Sequence, residues 1–184
     1  MDLLGTDAVL ASNALSGKTA LICGASRGIG AATARIMAAA GANVIVSARN
    51  QDQLDLLLEE LNTLGNGNHQ TLVMDLEDTK GISSKINPLI NQNPIHILVN
   101  NAAGPPGGPL LNSTVEELTQ PFGRHLHAAH TLVQLLAPTM ESEGYGRIIQ
   151  IVSTSVREPI PLMVSLLVFK APLCIKIPGA LFKT

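Results

Sequence analysis

Cys23-Gly24-Ala25-Ser26-Arg27-Gly28-Ile29-Gly30 is the stretch on which the reading of this chain turns. It follows the apolar segment Thr19-Ala20-Leu21-Ile22 and opens an alanine-rich run from Ala31 to Ala40. That order is strand, glycine turn, helix. The glycines remove Cβ atoms where a backbone must turn sharply and approach a ligand. The free N–H groups of the helix start, at the positive end of its dipole, then point at an anion. A pyrophosphate suits that place. The spacing Gly24, Gly28, Gly30 is a variant of the G-x-G-x-x-G dinucleotide fingerprint.

The rest of the chain repeats the strand–helix alternation. Strands are expected over 19–23, 43–47, 71–74, 95–100 and 147–152, and helices near 28–40, 50–64, 78–91 and 114–140. Gly41, Gly65-Asn66-Gly67 and Asn93-Pro94 punctuate the joins. The long segment 114–140 is expected to be broken at Pro121, and Thr114-x-x-Glu117 at its start fits a capping box. Ile95-His96-Ile97-Leu98-Val99 is nearly continuously apolar, as in a sheet covered on both faces. The pattern predicts an α/β fold, a Rossmann-type doubly wound parallel sheet with helices on both faces. The count stops at five strands where six are usual, so the fold is expected to be incomplete at the C-terminus. Val164 to Thr184 carries Pro172 and Pro178, and a proline inside a helix costs about 3 kcal/mol. The expected organisation is an N-terminal extension over 1–16, a nucleotide-binding domain over 17–163 and an atypical tail over 164–184.

Bulk properties exclude several classes. A chain of 184 residues with formal charge −2 and pI near 6.2 gives no electrostatic reason to expect nucleic acid. One Tyr, three Phe and no Trp also leave no aromatic platform for single strands. Two cysteines make neither a disulfide framework nor a metal site, and Cys23 reads as a small apolar filler. No apolar run reaches membrane-spanning length without Lys or Pro, and the first sixteen residues carry Asp2 and Asp7 without a basic signal-peptide region. A cytoplasmic protein is expected.

Further ligand-facing positions follow at the strand ends. An NAD-selective site places an acid at the end of the second strand, whereas this chain reads Ser47-Ala48-Arg49-Asn50. Arg49 offers a planar fork for a 2′-phosphate, and Arg27 adds a second positive charge, so NADP is the expected cofactor. The alternative is that Arg49 caps a strand end in solvent. Asp75, with Leu76 beside it, is placed to accept from an adenine amino group, the competing reading being an ordinary Asp at a strand-to-helix turn. After the fourth strand, Asn100-Asn101-Ala102-Ala103-Gly104 supplies small residues for close approach to a ribose.

These residues resemble the short-chain dehydrogenase/reductase family, with the 3-oxoacyl-carrier-protein reductase type the nearest in flavour. The family pattern T-G-x-x-x-G-x-G occurs here with Cys23 for Thr. Its N-N-A-G occurs as Asn100-Asn101-Ala102-Ala103, the glycine delayed to Gly104. Gly17-Lys18-Thr19-Ala20-Leu21 and Gly146-Arg147-Ile148-Ile149 are similar to its lead-ins to the first and fifth strands, and the likeness runs from about Leu15 to Lys170. The resemblance implies cofactor contacts at Gly24, Ala25, Ser26, Arg27, Gly28, Ile29, Gly30, Arg49, Asp75, Leu76, Asn101, Ala102 and Ala103. It implies a small carbonyl or alcohol substrate reduced or oxidised through NADP.

In that family a Tyr donates the proton, a Lys four residues later lowers the Tyr pKa, a Ser binds the carbonyl oxygen and an Asn organises a water relay. Carried over without gaps, the Ser is Ser153 and the Lys is Lys170, whereas the Asn position is His125 and the Tyr position is Leu166. Leu cannot donate a proton. Tyr145, the only tyrosine, lies before the fifth strand and reads as a loop residue. His125 reads as a helix histidine that fills or hydrogen-bonds, although histidine can shuttle a proton near neutrality. The resemblance therefore leaves three readings open: an active reductase, a non-catalytic NADP-binding homologue, or a truncated product. A homo-oligomer or association with a full-length homologue is expected with them.

Two apparent motifs fail. Gly17-Lys18-Thr19 ends like a P-loop, but the glycine required five residues earlier is Ser12. His125, His127 and His130 suggest zinc, yet at about 100° per residue His127 and His130 lie about 60° apart while His125 points away. No metal is expected.

Overall fold

The computed structural model describes residues 11–104, 112 and 114–152. Among them, β1 (Thr19–Cys23), β2 (Asn43–Ala48), β3 (Gln70–Val73), β4 (Ile97–Asn100) and β5 (Arg147–Gln150) form a 5-stranded sheet in the order β3-β2-β1-β4-β5. Every pairing is parallel, with Leu21 beside Ile45 on one side and Leu98 on the other. The chain winds outward from β1 through β2 to β3, then returns to β4 on the far side of β1. That reversal puts a crevice over the carboxyl ends of β1 and β4, the usual ligand position in such sheets.

The period-2 alternation of β1 divides the core. Ala20 and Ile22 face α1 (Gly28–Ala39) and α2 (Gln51–Leu64), where they meet Ala31, Ala34, Ala38, Leu54, Leu57 and Leu61. Leu21 and Cys23 face the other layer, α3 (Ile82–Ile90) and α5 (Ala128–Ser142), with Ile82, Ile86, Leu132, Leu136 and Met140. All five β1 residues are buried, as the continuous apolar run requires. Each fully buried Leu or Ile contributes about 1.5–3 kcal/mol, so this two-sided packing fixes the strand ends that carry the site. Leu15, within the expected extension, also packs on the first layer, and its N–H reaches the Ala40 carbonyl at 2.9 Å.

Several boundaries differ from the sequence reading. Ile95 and His96 are buried but precede the β4 ladder. His96 donates its N–H to the Thr19 carbonyl and accepts the Thr19 N–H on Nδ1. Residues 78–81 form a turn closed by the Asp78 carboxylate on the Gly81 N–H, so α3 starts at Ile82 rather than 78. The break expected at Pro121 falls two residues later. α4 (Val115–Phe122) runs through Pro121 and passes by a π turn, Gly123–His127, into α5. Proline removes one N–H and crowds the carbonyl four residues back, and a wider i→i+5 turn takes up such a misfit without ending the helix. The capping box at Thr114 and Glu117 forms in both directions.

Candidate functional site

The glycine turn is held from beneath and behind. Gly24 has φ +59°, and a Cβ there would lie 2.6 Å from the Asn101 carbonyl oxygen. A Cβ on Gly30 would collide with the Gly24 carbonyl. Neither position admits a larger residue without moving backbone. The Asn101 amide Nδ2 donates to the carbonyls of Cys23 and Gly24 at 3.3 and 3.2 Å, tying the end of β4 to the end of β1. Asn101 thus shapes the turn as well as lining the space before it. Burial pushes the Cys23 thiol up to about 12, so it stays a neutral filler under the turn.

The turn delivers the chain into α1 with Arg27 at the N-cap position and no side chain capping the free amides. By contrast α2 is capped by Asn50, whose Oδ1 accepts the Gln53 N–H at 2.9 Å. The first turn of α1 carries no acidic residue either. Its positive end, with no acid in that turn, faces a cleft of about 450 Å³.

That cleft runs across the carboxyl ends of four strands. Gly24, Ser26, Arg27 and Ile29 line it from the turn, Arg49 from the end of β2, Asp75 and Leu76 from β3, and Asn101, Ala102 and Ala103 from β4. These ten expected residues are brought together. Gly28 and Gly30 shape the turn without lining the cleft. Ala25 also stands apart: it is fully buried, and its N–H is spent on the Ser47 carbonyl at 2.9 Å. Ser153, Lys170 and Leu166 lie outside the described residues. Asp75 uses Oδ1 to hold the Glu77 N–H at 3.0 Å, which fixes the turn after β3.

The cleft also contains residues the sequence did not single out: Ser47, Ala48, Asn50, Gln53, Met74 and Arg124. Ser47, Ala48 and Asn50 flank Arg49 in the sequence, and Gln53 lies four residues beyond it. Arg124 had no signal, because its partner Glu77 is 47 residues away in the chain. Its guanidinium pairs with Glu77 and donates to the Ala103 carbonyl at 3.1 Å. His125 meets the same carbonyl through Nε2 at 3.1 Å, in keeping with a hydrogen-bonding histidine. The π turn also invalidates the 100° spacing used for His125, His127 and His130. Among the described residues no three His, Cys, Asp or Glu side chains gather as metal ligands.

Tyr145 lies at the other end of the sheet. Its ring has the Lys18 ammonium 4.4 Å from its centroid and the Arg147 guanidinium at 4.5 Å, with His96 edge-on at 6.1 Å. Lys18 precedes β1 and Arg147 begins β5, so this cluster sits at the amino ends of the strands, across the sheet's length from the cleft. Tyr145 cannot serve chemistry at the glycine turn.

Comparison with known proteins agrees with this architecture. A family model described as short chain dehydrogenase matches residues 18–165. Ketoacyl reductase HetN of Nostoc sp. is 35% identical over 144 residues, covering 76% of this chain and 48% of that protein. The 7alpha-hydroxysteroid dehydrogenase of Escherichia coli is 35% identical over 141 residues, covering 76% and 54%. The L-sorbose reductase of Gluconobacter frateurii, crystallised with NADPH and L-sorbose, superposes with a TM-score of 0.82 at 27% identity, over 87% of this chain and 61% of that one. The chain spans about half the length of the curated relatives it matches. Since the match runs from the residue before β1 past the end of β5, over the whole described sheet, the chain belongs to the short-chain dehydrogenase/reductase family.

Proposed function

We propose that the cleft binds NADP(H) and that the chain works as an oxidoreductase on a small carbonyl compound or secondary alcohol in the cytoplasm. The observation that carries this reading is the uncapped start of α1 above the Gly24–Gly30 turn, flanked by Arg27 and Arg49. A pyrophosphate would meet the free amides of α1, whose own first turn carries no acidic side chain. Arg49 ends β2 where an NAD site carries an acid, and a guanidinium fork there suits a 2′-phosphate. Asp75 and Leu76 would face the adenine, and Ala102 and Ala103 would let a ribose lie against backbone. The Gly24 and Gly30 contacts support the fit, because a Cβ at either position would collide with backbone and push the turn out of shape. NADPH, the cofactor named with the L-sorbose reductase, supplies the hydride in such chemistry.

Of the family's catalytic groups, Ser153 and Lys170 are the proposed carbonyl-binding and ribose-binding residues. Leu166 at the proton-donor position supports a second reading, in which the chain keeps the nucleotide cleft without turnover and associates with a second copy or a full-length homologue. Titration with NADPH and NADH, followed by a carbonyl-reduction assay, separates the two. Binding with turnover supports the oxidoreductase, and binding without turnover supports the second reading. A protein that is folded and binds neither nucleotide refutes both.

A further inference from the structure

Arg124 is the cleft residue that the fold-forming motifs leave unexplained. It enters from the π turn between α4 and α5, the one irregular segment of that helix. Nη2 pairs with one carboxylate oxygen of Glu77, and Nη1 donates to the Ala103 carbonyl at 3.1 Å. Gln120, one helical turn earlier, donates to the other Glu77 oxygen at 2.8 Å. Glu77 follows β3 and Ala103 follows β4, and these strands are separated in the sheet by β2 and β1. Arg124 therefore ties together the two banks of the cleft.

The pair is shielded, with side-chain exposures of 17% for Arg124 and 27% for Glu77. A second cation also acts on the carboxylate. Partial burial pushes Glu77 up, but the hydrogen bonds from Arg124 and Gln120, with the charges of Arg124 and Arg49, outweigh it and hold Glu77 below the usual carboxylate range. Glu77 is thus ionised at neutral pH, within the field of the guanidinium proposed to hold a 2′-phosphate. Neither Arg27 nor Arg49 makes an ion pair among the described residues, so a released Glu77 has Arg49 as its next cation.

We propose that Arg124 is a specificity-determining residue: by holding Glu77 it leaves Arg49 to the 2′-phosphate, and so sets the preference for NADPH over NADH. The inference rests on the nucleotide reading above. Without Arg124 the Glu77 carboxylate competes for Arg49 and repels the phosphate dianion. NADH carries no 2′-phosphate and is spared. Removing the carboxylate as well removes the competitor.

The test is fluorescence titration of wild type, R124M, E77Q and the R124M/E77Q double variant with NADPH and with NADH. The expected result is a fall of about threefold to fivefold in the NADPH-to-NADH affinity ratio for R124M, the scale of one partly exposed charge pair. E77Q keeps the wild-type preference, and the double variant regains it. Thermal unfolding without nucleotide reports whether each variant is folded. Should R124M not fold, R124Q takes its place with the same expected fall, because its amide can still hydrogen-bond but carries no charge to hold Glu77. Equal loss of both nucleotides in R124M, or a double variant no better than R124M, overturns the proposal and leaves Arg124 a structural tie. If wild type binds NADPH and the ratio does not move, this inference alone fails. If wild type binds neither nucleotide, the nucleotide reading fails and takes the inference with it.

Discussion

At the amino end of the sheet, histidine and tyrosine side chains are spent on the fold, whereas at the carboxyl end the donors and cations of the same strands are left facing a cleft. His69 Nδ1 accepts the Val44 N–H at 3.2 Å, and His96 Nδ1 accepts the Thr19 N–H at 3.1 Å, so each closes the start of a neighbouring strand. Tyr145 joins Lys18 and Arg147 across its ring. At the other end α1 opens without a cap, Arg27 and Arg49 make no ion pair among the described residues, and small residues keep the floor bare. The strands position both ends equally well. At the structural end the cations and most ring nitrogens already have partners, with His69 Nε2 the exception, whereas at the functional end Arg27, Arg49 and the free amides face open space.

The largest expected effect comes from closing the carboxyl end. Gly30→Val drives a side chain into the Gly24 carbonyl and should cost about 3 kcal/mol, read as a fall in the urea midpoint, with loss of NADPH binding. Wild-type stability in that variant would mean the turn yields, and the cradle would no longer explain why glycine stands there.

A smaller effect is expected from opening the amino end. Tyr145→Ala removes two cation–π contacts and should cost about 1–2 kcal/mol, while NADPH affinity stays within about twofold of wild type. An NADPH affinity that fell with stability would show the two ends to be coupled, against the contrast drawn above.

The smallest effect is a pH dependence that also belongs to the amino end. Burial lowers the pKa of His69, whose Nε2 is left without a partner, and burial with the Lys18 charge lowers that of His96 against an opposing pull from Glu143. Between their folded values and the ordinary value of 6.5 the unfolded chain binds these protons and the folded chain does not. Stability is therefore full above about pH 6.5 and falls as pH drops through 6.5 toward the folded values. The lowered Glu77 adds a further loss below about its ordinary 4.5, with the same sign. Urea midpoints at pH 8, 6.5 and 5.5 check this, and a midpoint that rises on acidification contradicts it.

The same division explains what could be read from the sequence. β1, the glycine turn and the start of α1 were legible because each rests on local chemistry: an apolar run and glycines at a sharp turn. Most of the cleft followed, since parallel strands bring their carboxyl ends to one place. Burial was mistaken for ladder membership at Ile95 and His96, because an apolar residue before a strand packs like one within it. Pro121 misplaced the helix interruption, since the π turn that absorbs it has no composition of its own. Ala25 gives its N–H to the Ser47 carbonyl of β2, and Arg124 has its role only through Glu77. Both depend on pairings between distant segments, which spacing along one chain does not carry.

The central claim, that the carboxyl end is a site for NADP(H), is tested most directly by comparing NADPH and NADH binding in wild type and Arg49→Ala. Arg49 lines the cleft and makes no ion pair among the described residues, acting on Glu77 through its charge alone, so the substitution should change stability by less than about 0.5 kcal/mol. The account predicts that wild type prefers NADPH. It predicts that Arg49→Ala weakens NADPH by about tenfold to a hundredfold, the scale of charge-assisted hydrogen bonds to a phosphate, with NADH within about twofold of wild type. A wild-type protein that binds the two equally, or a variant that loses both alike, would contradict it.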